Sequence, residues 1–403
     1  MSASRSSGTR LGLAFWIVAL GVGAASAWVL SMLARAQNPD LLRYAALSLA
    51  LALAPLALWC RGRWRRVLIA VVLLSYGYAT FDAAAALLSN RRNTPTVTVA
   101  GRRGSFQVRD RLLGFGPPRG VVAEAGTSRQ GGPVRRVRYS IDGDGFRVTP
   151  GPATARGDTV VFLGCSVTFG DGLGDRETLP SQYLAAHPGP VNVVNAAFSG
   201  YGTHQVVHQL ASERLRARLT RGRRVFVYSA LVEHLRRNQG RTTWDAWGPR
   251  YVLEGGALRY RGPFHSELGG RFRQVLWSSA LIGPLMRRWL KEPRPVPEAV
   301  RLYGALVGEA QSLAARRFGA RFIVVLWDVP SQADTRSPSE AATHARLAQG
   351  MATEMNGRGV PFLRVSELIP DYRANMAVYL GPDHIHPTAL LNRRLAEQLA
   401  KRI

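Results

Sequence analysis

Cysteine is scarce in this 403-residue chain, with Cys60 and Cys165 the only two. Two thiols in unlike contexts build neither a disulfide framework nor a thiolate metal site. Cys60 closes the apolar run LALWCRGRW, where Trp59 occupies the place a lipid-attachment signal reserves for a small residue, so Cys60 reads as an interfacial residue and not as a lipid anchor. Lysine is nearly absent too, standing only at Lys291 and Lys401, and 26 acidic residues face 53 basic ones. The net charge of +27 is therefore carried almost wholly by arginine, spread from Arg5 to Arg402. No aromatic-interleaved basic stripe or nucleic-acid-binding motif accompanies it, so nucleic acid is not an expected partner. Anionic lipid headgroups or acidic polysaccharide are what such a field attracts.

What the chain does have is apolar length near its start. Residues 11–33 hold no charge and are long enough to cross a hydrocarbon core of about 30 Å. A secretory signal is the rival reading, but its apolar region is shorter and no further apolar runs would follow it. Residues 44–59 and 67–89 supply a second and a third span, and Asp82 in the third is expected at the membrane interface. Arg61, Arg63, Arg65 and Arg66 crowd the loop between spans two and three. By the positive-inside rule that loop and the tail 1–10 are cytoplasmic, which places everything after residue 89 outside, at a bacterial inner membrane.

Residues 90–155 are rich in Gly, Pro, Arg and Thr and predict a stalk or extended wrap without a core of its own. Within them VRYSIDGDGFRV alternates apolar and polar residues around Asp-Gly, the pattern of short strands joined by a tight turn. From residue 156 the rhythm changes. Strand-like runs at 159–164, 191–196, 224–231, 321–327 and 360–365 alternate with helical stretches after Thr178, at about 204–218, 297–318 and 338–356, and from Pro387. Strands of nearly continuous apolar character between helices predict a parallel sheet covered on both faces. An insertion at about 240–295 interrupts the alternation, and RYVLEGGALRYRG within it reads as a hairpin. In such sheets the functional crevice lies beyond the carboxyl ends of the strands. Ser166, Gly200, the Glu233-His234 pair, and Asp383 with His386 all fall in late loops or just past strand ends, so one crevice could collect them.

A serine after a strand is by itself an ordinary turn residue. Asp383 and His386 in GPDHIHPTALLN add to it, because a three-residue offset in a turn brings a carboxylate to the imidazole it orients while the other ring nitrogen faces a hydroxyl. His384 is a nearby decoy. These stretches resemble the SGNH, or GDSL, hydrolase superfamily over residues 156–403. FLGCSVTFGDG resembles its first block and places the nucleophile at Ser166; NAAFSGYGT, which Asn195 opens, resembles the second and places an oxyanion donor at Gly200. DHIHP resembles the fifth block, with Asp383 and His386 completing a triad, and IDGDGFRVTP resembles a lead-in of membrane-tethered bacterial members. The resemblance implies a three-layer α/β/α, flavodoxin-like fold with a parallel sheet of about five strands, and no metal or organic cofactor.

Two positions depart from the family pattern. Cys165 replaces an aspartate beside the nucleophile, and Glu233-His234 stands where the third block has Asn-Asp. An ionised glutamate cannot donate to an oxyanion, so the hole is expected from the backbone N–H groups of Ser166 and Gly200 aided by His234 or Arg237, while Glu233, Arg237 and Asn195 are expected to touch substrate or to support the residues that do. The leading expectation is a membrane-anchored serine esterase acting on O-acyl, foremost acetyl, esters of envelope or exported polysaccharide. One alternative is an O-acyltransferase of envelope glycans working with a multi-span acyl-transfer partner. The other is a non-catalytic scaffold or glycan-binding module.

Overall fold

The computed structural model describes residues 41–90, 97–99, 102–103, 106–127, 135–151, 157–242, 244–267, 269–270, 276–277, 279–289, 293, 295–331 and 337–403. Two compact units divide them, one within Met1–Thr94 and Glu267–Leu290 and the other within Pro95–Ser266 and Lys291–Ile403.

The first unit is built on helices Leu41–Trp59 and Gly62–Asn90. Leu73, Leu74, Phe81, Leu87 and Leu88 of the second are exposed, as lipid-facing side chains would be. By length and composition Gly62–Leu88 is long and apolar enough to cross a membrane, whereas the apolar helix Arg43–Trp59 is shorter; the expected span 11–33 lies outside the described residues. Asp82 is fully buried among protein groups. Its carboxylate accepts from Arg43 Nε (3.2 Å), Ser279 Oγ (2.6 Å) and the Leu281 N–H (2.9 Å). A carboxylate taken from water needs such partners. They come partly from the expected insertion, whose residues 279–289 thus belong with the helical pair, while its hairpin, strands Pro249–Glu254 and Ala257–Pro263, belongs to the second unit.

The second unit carries the sheet that the apolar runs predict. Strands β7 (Asp158–Leu163), β8 (Val191–Asn195), β9 (Arg224–Leu231), β12 (Arg321–Trp327) and β13 (Phe362–Arg364), numbered from the first strand of the chain, are parallel in the order β13-β12-β9-β7-β8. That is the flavodoxin-like order, with its switch point between β7 and β9. Alternate residues point to opposite faces. Val161, Leu163, Phe226, Tyr228, Val324 and Leu326 pack under helices Thr203–Ala211 and Val296–Phe318, while Val160, Phe162, Val225, Val227, Ile323 and Val325 pack under Leu179–Ala186 and Ala389–Ala400. Burying each such side chain is worth about 1.5–3 kcal/mol, which explains the nearly continuous apolar runs of β7, β9 and β12. Side-chain caps begin three helices: Thr178, Ser337 and Thr388 each accept from the N–H three residues on.

The segment expected as a coreless stalk or wrap forms β1 (Val97–Val99), β2 (Arg102–Arg103), β5 (Val121–Thr127) and β6 (Arg135–Ile141), an antiparallel sheet in the order β2-β1-β5-β6, with a small hairpin of β3 (Val108–Asp110) and β4 (Gly114–Gly116). Asp142 makes the turn after β6, its Oδ1 accepting the N–H groups of Asp144 and Phe146. Leu113, Phe115, Val137, Tyr139 and Ile141 join Phe169, Phe198 and Tyr201 in a third buried cluster. The rings of Phe106, Tyr139, Phe169 and Phe198 stand 5.3–5.9 Å apart in tilted and edge contacts. The segment's apolar side chains thus form no separate core but share one with the loops that follow β7 and β8.

Candidate active site

Ser166 opens the short helix Ser166–Phe169 directly after β7. Gly164 makes the approach possible: its φ is +146°, and a Cβ there would lie 2.9 Å from Thr168 Oγ1 and 3.2 Å from the Ser229 carbonyl oxygen. Ser166 is nearly buried but lines a cavity of about 550 Å³ beyond the carboxyl ends of the strands. Gly200, Glu233, Arg237 and His386 line the same cavity, together with Asp171, Ser199, Trp244 and Trp327. Gly200 sits at φ +86°, and a Cβ there would meet Trp244 Nε1 at 2.7 Å, so glycine is required for both conformation and space.

Asp383 organises its own loop. Its Oδ1 accepts the N–H groups of Ile385 and His386, both at 3.0 Å, and its Oδ2 accepts from His386 Nδ1. Burial alone would raise the Asp383 pKa, but the hydrogen bond and charge of His386 and the two backbone donors bring it down to about 2. Burial likewise works against a charged His386, yet the hydrogen bond to Asp383 and the negative charges of Asp171 and Asp383 outweigh it and hold the pKa above the ordinary histidine value, with Arg237 opposing. With Nδ1 held as donor, Nε2 is the nitrogen left for proton transfer. Ser166 Oγ contacts Cys165 Sγ at 4.0 Å, and among the described residues no hydrogen bond joins it to His386. Such bonds are commonly loose before substrate binds. His384, the decoy, is exposed.

The third-block pair behaves differently from expectation at His234. That ring is wholly buried and absent from the cavity wall. Its Nδ1 accepts from Tyr228 Oη at 2.7 Å and from the Leu231 N–H at 3.4 Å, and it stacks on the Tyr228 ring. Burial, then the charges of Arg237 and His204, press its pKa far below the usual value, so the ring is neutral. The correction is that His234 is a core residue and no oxyanion donor. The turn that starts helix Glu233–Asn238 sends Glu233 to the cavity and its neighbour inward, and Glu233 pairs with Arg236. Arg237 lines the cavity while Nη1 donates to the Tyr201 carbonyl at 2.7 Å. Asn195 takes the supporting place among its expected ones: it is buried, donating from Nδ2 to the Thr168 and Phe169 carbonyls and accepting the Ala197 N–H, which ties the first block to the second behind the cavity wall. Cys165 is fully buried among apolar side chains, where a thiol packs as a small hydrophobe.

No family model and no curated protein matches this chain. Solved structures do. It is similar to a lipolytic protein of the G-D-S-L family from Veillonella parvula, with 12% identity over 61% of this chain and 98% of that one and a TM-score of 0.37. An acetylxylan esterase from Geobacillus stearothermophilus is similar at 12% identity over 61% and 94% of the two chains, with a TM-score of 0.37. A psychrotrophic esterase from Pseudoalteromonas is similar at 12% identity over 60% and 94%, with a TM-score of 0.35.

Two residues at the site carried no signal when read singly. Asp171 sits in Gly-Asp-Gly, which reads as a turn, yet its side chain faces the cavity. Arg147 lies in the lead-in segment and is almost wholly buried. Its Nη1 donates to the carbonyls of Phe169 and Gly170, both at 2.7 Å, Nη2 to Leu173 at 2.5 Å, and Nε to Asp175 at 3.1 Å, while its guanidinium lies over the rings of Tyr139 and Phe169. One planar fork thus holds the loop that follows Ser166. Arg147→Met is expected to lower stability by about 3–5 kcal/mol, as measured by denaturant unfolding, because it takes the charged partner from Asp175 and the guanidinium donors from three carbonyls. A loss under about 1 kcal/mol would show that the clamp is dispensable.

Proposed function

We propose that this chain is a serine ester hydrolase of the SGNH type, in which Ser166 attacks an ester carbonyl, His386 accepts and returns the proton, and Asp383 holds His386. The observation that carries this reading is the convergence of Ser166 and a carboxylate-oriented imidazole on one cavity at the carboxyl end of a flavodoxin-like sheet. Asp383 fixes Nδ1 as the donor and stabilises the imidazolium formed when Nε2 takes the serine proton. The developing oxyanion would be met by the backbone N–H groups of Ser166 and Gly200, residues that both stand at the cavity wall. Acyl-enzyme chemistry of this kind needs no cofactor.

The finer reading is an esterase anchored in a bacterial inner membrane by three spans, its catalytic unit outside, removing acetyl groups from envelope or exported polysaccharide. The apolar helices, the Arg61–Arg66 cluster and the strongly basic composition support it, since a cationic surface attracts acidic glycans. The pair of tryptophans at the cavity, Trp244 and Trp327, offers flat apolar faces of the kind that sugar rings pack against. Two measurements test this. Alkaline phosphatase fused after residue 100 should be active and fused near residue 63 inactive; the reverse pattern overturns the topology. Full-length protein should release acetate from O-acetylated polysaccharide, and accumulation of acylated sugar with an added glycan acceptor in place of acetate would replace hydrolysis by transfer.

A further inference from the structure

The cavity holds a carboxylate that the triad does not use. Asp171 Oδ2 lies 3.9 Å from His386 Nε2, on the side of the ring opposite Asp383. Asp171 Oδ1 accepts from Ser199 Oγ at 2.5 Å, which fixes the carboxylate plane, and the Asp171 N–H donates to the Ser166 carbonyl at 3.0 Å, which fixes its backbone to the nucleophile's own turn. Oδ2 receives none of the hydrogen bonds formed among the described residues. A gap of 3.9 Å is too long for a direct hydrogen bond and short enough for a single water to contact both atoms.

We propose that Asp171 positions the water that attacks the acyl-enzyme, and thereby biases the site toward hydrolysis over transfer to an alcohol; the proposal rests on Ser166 being the nucleophile. In the deacylation step the water oxygen bonds to the acyl carbon while one of its protons passes to His386 Nε2. Its second O–H donates to Asp171 Oδ2 and stays on the oxygen. The tetrahedral intermediate then collapses, the bond from carbon to Ser166 Oγ breaks, Oγ takes the proton from His386, and the carboxylic acid leaves. Asp171 gains and loses no proton.

The selectivity follows from counting donors. Water has two O–H bonds, one for His386 and one for Asp171. A simple alcohol has one, which His386 must receive, and its oxygen lone pairs then face the carboxylate with no hydrogen bond in return. A carboxylate oxygen left unpaired in this way disfavours the alcohol in the transition state. Ser199 keeps the carboxylate turned so that Oδ2 and not Oδ1 faces the ring.

The test is product partition with p-nitrophenyl acetate as the probe ester and methanol as the competing acceptor, using the full-length protein. The wild type is expected to form acetate in excess over methyl acetate by more than the two acceptors' concentrations dictate. Asp171→Ala is expected to raise the methyl acetate share on the order of 10- to 100-fold, with Ser199→Ala shifting it the same way by less. A wild-type partition that simply follows the acceptor concentrations overturns the proposal without any variant, and so does an unchanged partition in a folded Asp171→Ala protein. Labelling of the wild type by a fluorophosphonate distinguishes the two levels. Ser166 labelled with partition unaffected removes the role of Asp171 alone, whereas no adduct at Ser166 removes the nucleophile on which it rests.

Discussion

Ser166→Ala is expected to abolish the fluorophosphonate adduct seen by intact mass and to lower turnover of an activated ester by roughly 10⁴- to 10⁶-fold. The loss should be nearly complete because the adjacent thiol cannot substitute: Cys165, the residue before Ser166, is fully buried and does not line the cavity. The fold should survive the change, since the only hydrogen bond of Ser166 Oγ among the described residues is a long contact with sulfur at 4.0 Å. A shift in unfolding free energy within about 0.5 kcal/mol would accord with that weak contact. Retained labelling in Ser166→Ala with loss in Cys165→Ala would reassign the nucleophile.

The second large effect concerns the His386–Asp383 pair. Asp383→Asn is expected to lower kcat by about 10⁴-fold, because the amide can present a donor to Nδ1 and so favour the tautomer with its proton on Nε2. The pH profile carries a further signature. The pKa of His386 stands above the ordinary histidine value, so its neutral, basic form is depleted as pH falls through that raised pKa. The acid limb of kcat/KM in the wild type should therefore inflect above about 6.5. Removing Asp383 removes the hydrogen bond and one of the two negative charges that raise it, and the limb should move to lower pH. Replacing Asp171 removes the other charge and should move it in the same direction by less. A wild-type inflection below about 6 would mean that desolvation, not the carboxylates, governs the ring.

Much of this site was local enough to read along the chain. Gly164, Ser166 and Gly200 follow strands whose β-branched runs are unmistakable, and a turn residue past the carboxyl end of a strand lies at the crevice whichever helices follow. Asp383 and His386 pair within a single turn through the N–H groups of that same turn, so three residues of spacing sufficed to associate them. The helix starts were equally local, since Thr178, Ser337 and Thr388 cap from within four residues.

What the chain order could not decide is which way a side chain faces once distant elements pack. Glu233 and His234 are neighbours in sequence, yet one lines the cavity and the other is drawn inward by Tyr228, a strand residue whose hydroxyl needs an acceptor. Asp82 reads as an acid at the membrane interface, and its buried setting comes from Arg43, Ser279 and Leu281, far away in sequence, together with Tyr78 one turn before it. Asp171 and Arg147 look like a turn residue and one arginine among many, until folding places the first opposite His386 and wraps the loop after Ser166 around the second. Periodicity, turn chemistry and short-range pairing act over a few residues, and so the strands of the parallel sheet, Ser166 and the Asp383–His386 pair were legible from sequence alone. The burial of a charge is settled by partners brought together from across the chain, and only the tertiary structure shows them.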